Sequence, residues 1–263
     1  MPLIAGVDSS TQSTKVEIRD QETGAVVASA SAPHPAVMAP LSEQDPASWW
    51  TAFEHAWAQV GSPNVAAISV GGQQHGMVAL DADGVAVHPA KLWNDTESAD
   101  DADRLTGLVS PADWAAAIGS VPVAAFTVTK LAWLARTHAD VWSRVRHVML
   151  PHDYITNRLT GQLTTGSTTD RGDASGTGYW SPAEGKYRID LLDLVDSSRE
   201  WESMLPRVLG PMDHAGRSTV ASIATGAVVA PGTGDNMAGA LGVGLRPGDA
   251  VISIGTSGTV YAV

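Results

Sequence analysis

The 263-residue sequence contains no cysteine. Its absence excludes disulfides and thiolate metal sites and suits a reducing cytosol. Positive charge is also scarce: 16 Lys and Arg stand against 28 Asp and Glu, a formal net charge of -12. Nucleic-acid binding rests on neutralising phosphates, and so acidic a chain offers no footprint for it. No apolar run reaches the roughly 18–20 residues needed to span a bilayer. A basic segment followed by a long apolar stretch is missing from the N-terminus, where Asp8 arrives too early for a secretory signal. The rest is an ordinary globular balance, 44% apolar and 17% charged, long enough for one large domain or two small ones. The expectation is an α/β protein of the cytoplasm with no nucleic-acid or membrane partner.

A repeated device is present. "LIAGVDSSTQSTKVEI" (3–18) and "GDAVISIGTSGTVYAV" (248–263) share one design: an apolar run, a Ser/Thr-rich turn and a second apolar or alternating run. Between them, "QDPASWWTAFEHAWAQV" predicts a helix with Asp45 as N-cap and Pro46 at the first helical position. Trp49, Phe53 and Trp57 recur there at helical spacing, which reads as core packing. "VAAISV" (65–70) predicts a buried strand, and "MVALDADGVAV" a hairpin through "DADG". "SPADWAAAIG" and "PHDYITNRLTG" predict helices ended by Gly119 and Gly161, and "TVTKLAWLARTHADVWSRV" a continuous helix. The boundary signal falls at "GLRPGD" (244–249).

Four loops carry the candidate chemistry. In "DSSTQSTK" the small residues let backbone N–H groups approach an anion, Asp8 suits a hydrated Mg²⁺, and Lys15 adds positive charge; a solvated hairpin turn is the plain alternative. "GGQQHG" (71–76) offers Gln73, Gln74 and His75 at a strand's carboxyl end, where open α/β sheets bind ligands. No second His or carboxylate sits at metal spacing, so zinc is discarded. In "LWND", Trp93 suits the apolar face of a sugar while Asn94 and Asp95 take hydroxyls, or Asn94 or Asp95 caps a helix. In "GTGDNMAGALG", Asp235 and Asn236 open a helix of small residues whose N-terminus favours an ionised carboxylate, one able to take a proton from a hydroxyl.

Taken in order, "GVDSSTQSTK", "QQHG", "LWND", "TKLAWL", "TTDRGDASGT", "GTGDNMAGALG" and "IGTSGT" resemble the FGGY carbohydrate kinases of the actin, sugar kinase and Hsp70 superfamily. The resemblance implies an actin-like (ribonuclease H-like) α/β fold, with a mixed sheet flanked by helices. It implies ATP-dependent phosphorylation of a pentulose, D-xylulose at O5, with sugar and ATP meeting in a cleft, and it allows a homodimer in the full-length enzyme. By motif, Asp235 would be the general base and Asp8 would help place Mg²⁺. Ser9, Ser10, Thr11 and Lys15 would line the first phosphate loop, and Gly255, Thr256 and Ser257 the second. Gln74, His75, Trp93, Asn94, Asp95 and Asn236 would shape the sugar pocket. The pairing of "QQHG" with "GDN" argues against a glycerol kinase and less firmly against kinases of gluconate, ribulose or fuculose. Three residues depart from the family pattern: Glu97 where a basic residue is common, Gln74 for a frequent Met, and Gly172 for a frequent Ser. Residues 1–246 read as the N-terminal kinase domain, and 247–263 as the opening hairpin of a truncated ATP-binding domain. Family members are roughly twice as long.

Overall fold

A computed structural model describes residues 2–38, 41–254 and 258–262. The central sheet has seven strands: β1 (Leu3–Ser9), β2 (Ser13–Asp20), β3 (Val26–Pro33), β4 (Ala67–Gly72), β5 (Gly216–Arg217), β6 (Val228–Val229) and β7 (Thr233–Gly234). Its order is β5-β6-β4-β1-β2-β3, with β7 continuing the line of β6 along β4. β1, β4, β6 and β7 run parallel, whereas β2 and β3 are antiparallel additions at one side. The mixed sheet that the resemblance implies is thus present.

Alternation in β1 and β2 decides which face becomes core. Ala5, Val7, Val16 and Ile18 point one way and are buried, while Asp8 and Lys15 point the other. The buried face packs on helix α1 (Pro46–Gln59), through Trp49, Phe53 and Trp57, each at most 1% exposed. Burying each such ring is worth about 2–3 kcal/mol. The expected cap is present: the Asp45 side chain accepts the Ala47 N–H at 2.9 Å, ahead of Pro46.

A second core joins helices α2 (Ala99–Leu108), α3 (Pro111–Ile118) and α4 (Thr127–Thr137) around Leu105, Trp114, Leu131 and Leu134. The continuous helix expected over 127–145 breaks at His138, whose φ of -132° and ψ of 62° leave helical space. A short helix, α5 (Ala139–Trp142), then restarts. The "DADG" hairpin is reduced to Val78–Leu80 and a single bridge between Leu80 and Ala86. Helix α6 (Pro151–Thr160) ends at Gly161 in the left-handed conformation, as expected. It is followed by α7 (Arg171–Ala174), α8 (Ile189–Asp196), α9 (Trp201–Met204) and α10 (Asp235–Gly242).

A separate hairpin, β8 (Ala250–Ile254) with β9 (Gly258–Ala262), carries the second copy of the repeated device. The described helices include none long and apolar enough to cross a membrane.

Candidate active site

Strand register assembles the site. Asp8 and Thr233 both stand beside Gly71, and Ser9 and Gly234 both stand beside Gly72. At ~4.8 Å per strand spacing, the Asp8 and Thr233 backbones lie on the order of 10 Å apart, with Asp235 next along the chain. The solvent-side residues Asp8, Lys15, Ser69 and Gly71 line a cleft of about 360 Å³, closed on its other wall by Ala238 and Leu241 of α10. α10 sits so tightly that a Cβ on Gly71 would come within 3.2 Å of Ala238 Cβ.

Asp235 is half-buried at the first position of α10, and the N-cap is Gly234 rather than Asp235 itself. Its Oδ1 accepts the Asn236 N–H at 2.8 Å. Burial pushes its pKa up to about 6; that hydrogen bond opposes the rise, and the charges of Asp173 and Asp8 reinforce it. The carboxylate is thus ionised at neutral pH and more basic than an ordinary Asp. Gln74 fixes the same loop: its Oε1 accepts from Asn236 Nδ2 at 2.9 Å, and its side chain fills the space where Gly234 would carry a Cβ. A methionine could not make this hydrogen bond to Asn236.

His75 holds φ at 63°, a left-handed conformation rare for a residue with a side chain. The turn sends its ring to Phe126, at 5.2 Å between centroids, and Nδ1 donates to the Gly176 carbonyl at 2.7 Å. Trp93 is exposed and donates Nε1–H to Thr11 Oγ1 at 3.1 Å, tying the "LWND" segment to the first Ser/Thr turn. Ser10 donates to Asp8 Oδ1 at 2.7 Å, and the buried Ser9 hydroxyl accepts from Thr14. Lys15 is exposed and lies 3.7 Å from Glu17. Gly255, Thr256 and Ser257 lie outside the described residues.

Two expectations change at "LWND". Helix α2 starts at Ala99, with Ser98 in the cap position, so neither Asn94 nor Asp95 caps it. Asp95 is buried with both oxygens engaged: Oδ2 takes the Ser42 N–H and Lys91 Nζ, and Oδ1 the Glu97 N–H. It therefore points inward with neither oxygen free, while Asn94 is exposed and accepts from the Ser42 hydroxyl. Lys91 is 1% exposed, bonded to Glu43 at 2.7 Å and to Glu97, and sits 4.1 Å over the Trp133 ring. The negative charge of Glu97 is thus matched by a buried cation, which explains how the charge reversal is tolerated. Lys130, of "TKLAWL", is fully buried and donates to the carbonyls of Ala124 and Ala125. Burial draws its pKa down to about 7.

The sequence reading assigned no role to His152, Asp153, Asp170 or Asp173. These side chains meet under the Gly232–Asp235 loop, with His152 Nδ1 2.6 Å from Asp173 Oδ2. Asp170 accepts from the Thr233 hydroxyl at 3.0 Å. A Cβ on Gly172 would lie 3.0 Å from that hydroxyl, so a serine would crowd this bond. The local signal was a helix start: Pro151 at N1 and Asp153 at N3, whose Oδ2 accepts the Leu150 N–H. Its meeting with Asp173 depends on the fold.

The described residues contain no group of three His, Cys, Asp or Glu able to hold a metal ion alone. Asp8 offers hard oxygen donors at the cleft, with the Ser10 hydroxyl beside it, a fit for Mg²⁺ that keeps several waters and takes phosphate oxygens.

An actin-like sheet bearing a carboxylate-lined cleft defines the class: a domain of the sugar-kinase fold. Residues 3–242 match the N-terminal domain of the FGGY family of carbohydrate kinases, and the chain belongs to that family. Xylulose kinase of Streptomyces rubiginosus is 50% identical over 268 residues, covering 100% of this chain and 54% of that protein. The crystal structure of xylulose kinase from Bifidobacterium adolescentis superposes with a TM-score of 0.92 at 39% identity, covering 99% of this chain and 59% of that one. Plasmodium falciparum glycerol kinase with ADP shares the fold at a TM-score of 0.88 and 19% identity, covering 99% of this chain and 54% of that one. The chain spans about half the length of the curated relatives it matches.

Proposed function

We propose that this chain is the sugar-binding half of an ATP-dependent kinase that phosphorylates D-xylulose at O5. The observation that carries the reading is the convergence at Gly71 and Gly72. There β1 brings the hydroxyl turn and Asp8, and β7 leads into Asp235; Asp8 and Thr233 border one cleft, and the charge of Asp8 is felt at Asp235. Asp235 takes the proton of the sugar O5–H as O5 bonds to the γ-phosphorus; the bond from that phosphorus to the β,γ-bridging oxygen breaks, and ADP leaves. A positioned base of this kind contributes ~10²–10⁴-fold, and the remainder is positioning and electrostatics around a loose transition state. Ser10, Thr11 and Lys15 would face the phosphates, with Gly255, Thr256 and Ser257 opposite; Ser9 turns its hydroxyl inward to Thr14 and would support the turn from behind. Mg²⁺, held near Asp8, would neutralise phosphate charge. His75, Trp93 and Asn94 would contact the sugar, while Asn236 is aimed by Gln74 and Asp95 supports the wall. The adenosine pocket would come from the half of the relatives that this chain does not span, and residues 247–263 would open that domain.

The test is ADP release by the polypeptide carrying that second half, followed with D-xylulose, other pentuloses, hexuloses, gluconate and glycerol. D-xylulose is expected to give the highest kcat/KM; a preference for another sugar would replace it. Asp235→Ala is expected to lower kcat by 10²-fold or more with sugar affinity nearly unchanged. Near-normal turnover in that variant would remove Asp235 from the role.

A further inference from the structure

His152 is 0% exposed and has a carboxylate on each side. Nδ1 lies 2.6 Å from Asp173 Oδ2; Nε2 lies 3.2 Å from Asp153 Oδ1 and 3.8 Å from Asp170 Oδ1. Two of these acids, Asp153 and Asp173, are themselves completely buried. Burying carboxylates together is costly unless they hold protons or share a cation, and His152 is the basic group between them. The ring also serves as a floor. A Cβ on Gly232 would meet His152 Cδ2 at 2.6 Å, and one on Gly72 would meet His152 Cβ at 2.8 Å. Gly232 has φ of 79°, so the chain crosses the ring in a conformation that glycine permits. Asp170 then takes the Thr233 hydroxyl, and the chain enters α10 at Asp235.

We infer that His152 is a positioning residue for Asp235: a buried imidazolium, held by Asp173, Asp153 and Asp170, that supports the Gly232–Gly234 turn and offsets the negative charge stacked behind the base. The inference rests on reading Asp235 as that base. The charge balance runs in one direction. Burial opposes a charged His152, but the carboxylates of Asp153 and Asp173 outweigh it and push its pKa up to about 10. Asp173, in turn, is one of the charges that make Asp235 hold its proton more tightly. The other titratable groups coupled to this cluster are Tyr179, whose phenol is raised by burial and by Asp153 and Asp173, Tyr187, raised by burial, Tyr179 and Asp153, and His75 beyond Asp173.

The experiment reads protonation directly. In the ¹⁵N spectrum of the ring nitrogens, His152 of the unmodified protein is expected to be an imidazolium at pH 8; a neutral tautomer at that pH would overturn the inference. The ¹³C titration of the Asp235 carboxyl, assigned by its loss in Asp235→Asn, is then compared in two variants. His152→Gln removes the cation and is expected to raise the Asp235 midpoint by roughly 0.5–1 pH unit, whereas Asp173→Asn is expected to lower it by a similar amount. A merely structural role would not move the midpoint in opposite directions, and an unmoved midpoint in the folded variants overturns the proposal. If His152→Gln fails to fold, the ring spectrum and Asp173→Asn decide. None of these readouts uses turnover, so they stand apart from the Asp235→Ala assay: a base role lost there leaves the coupling measured here intact.

Discussion

The molecule buries two clusters of one cation among three carboxylates, and they behave differently. Lys91 meets Glu43, Asp95 and Glu97 behind the Trp93 segment. His152 meets Asp153, Asp170 and Asp173 under the Asp235 loop. In the first, the cation is an amine kept charged at any physiological pH, and two of its acids reach the surface, Glu97 being 37% exposed. In the second, burial pushes Asp153 up to about 7, and Asp153 Oδ1, Asp173 Oδ1 and His152 Nε2 make no hydrogen bond. A surface-connected cluster around a fixed charge works as an anchor. A cluster around a titratable ring makes its neighbours' proton affinities depend on one another, which suits a place beside the proposed base.

The largest effect should come from deleting the fixed cation. Lys91→Met leaves Asp95 buried without its partner and is expected to cost about 3–5 kcal/mol in urea denaturation at pH 7. A cost below 1 kcal/mol would deny the anchor role.

The histidine cluster should show itself through pH. Its folded pKa is raised above the ordinary 6.5, so its stabilisation is complete below pH 6.5 and lost as pH rises toward about 10. Asp153 titrates lower, near 7, and its raised value removes stability as pH climbs from 3.8 to that point. Between pH 7 and 10 the urea midpoint should therefore fall, by up to about 4 kcal/mol in stability. His152→Gln should flatten that fall, whereas variants of the lysine cluster should retain it.

Asp235→Asn sharpens the contrast from the functional side. A carboxylate raised from 3.8 to about 6 destabilises the fold once ionised, and that penalty is fully present above pH 6. The amide should remove turnover yet stabilise the protein by about 1–2 kcal/mol at pH 8, and by little at pH 4. Equal melting temperatures at pH 8 would argue that the loop relaxes around the charge. The smallest effect belongs to Glu97→Gln, on the exposed side of the lysine cluster, at under ~1 kcal/mol.

The loops that carry the candidate residues were legible because their signals are local. Gly-rich and hydroxyl-rich turns at strand ends named Asp8, Gln74, His75, Trp93 and Asp235, and alternation in "KVEI" identified which side of β2 is core. Aromatic spacing in "WWTAFEHAW" located the face of α1. Asp95 shows the limit: beside Asn94 it looks like a second sugar ligand, and only the 53-residue separation closed between Ser42 and Asp95 reveals that it points inward. His138 shows another, since a helical pattern on both sides hid the break that packing of Trp133, His138 and His88 imposes.

By itself, the sequence determined the strands, the capped helices, the small-residue turns and the order in which they occur, because period, Gly, Pro and hydroxyl content act over a few neighbours. Tertiary structure alone decided which acids share a cation and how strongly Asp235 holds a proton. Those properties arise from charges that the fold brings together and removes from solvent, as with His152 and Asp173 across 21 residues of chain, and no local pattern records either the distance or the burial.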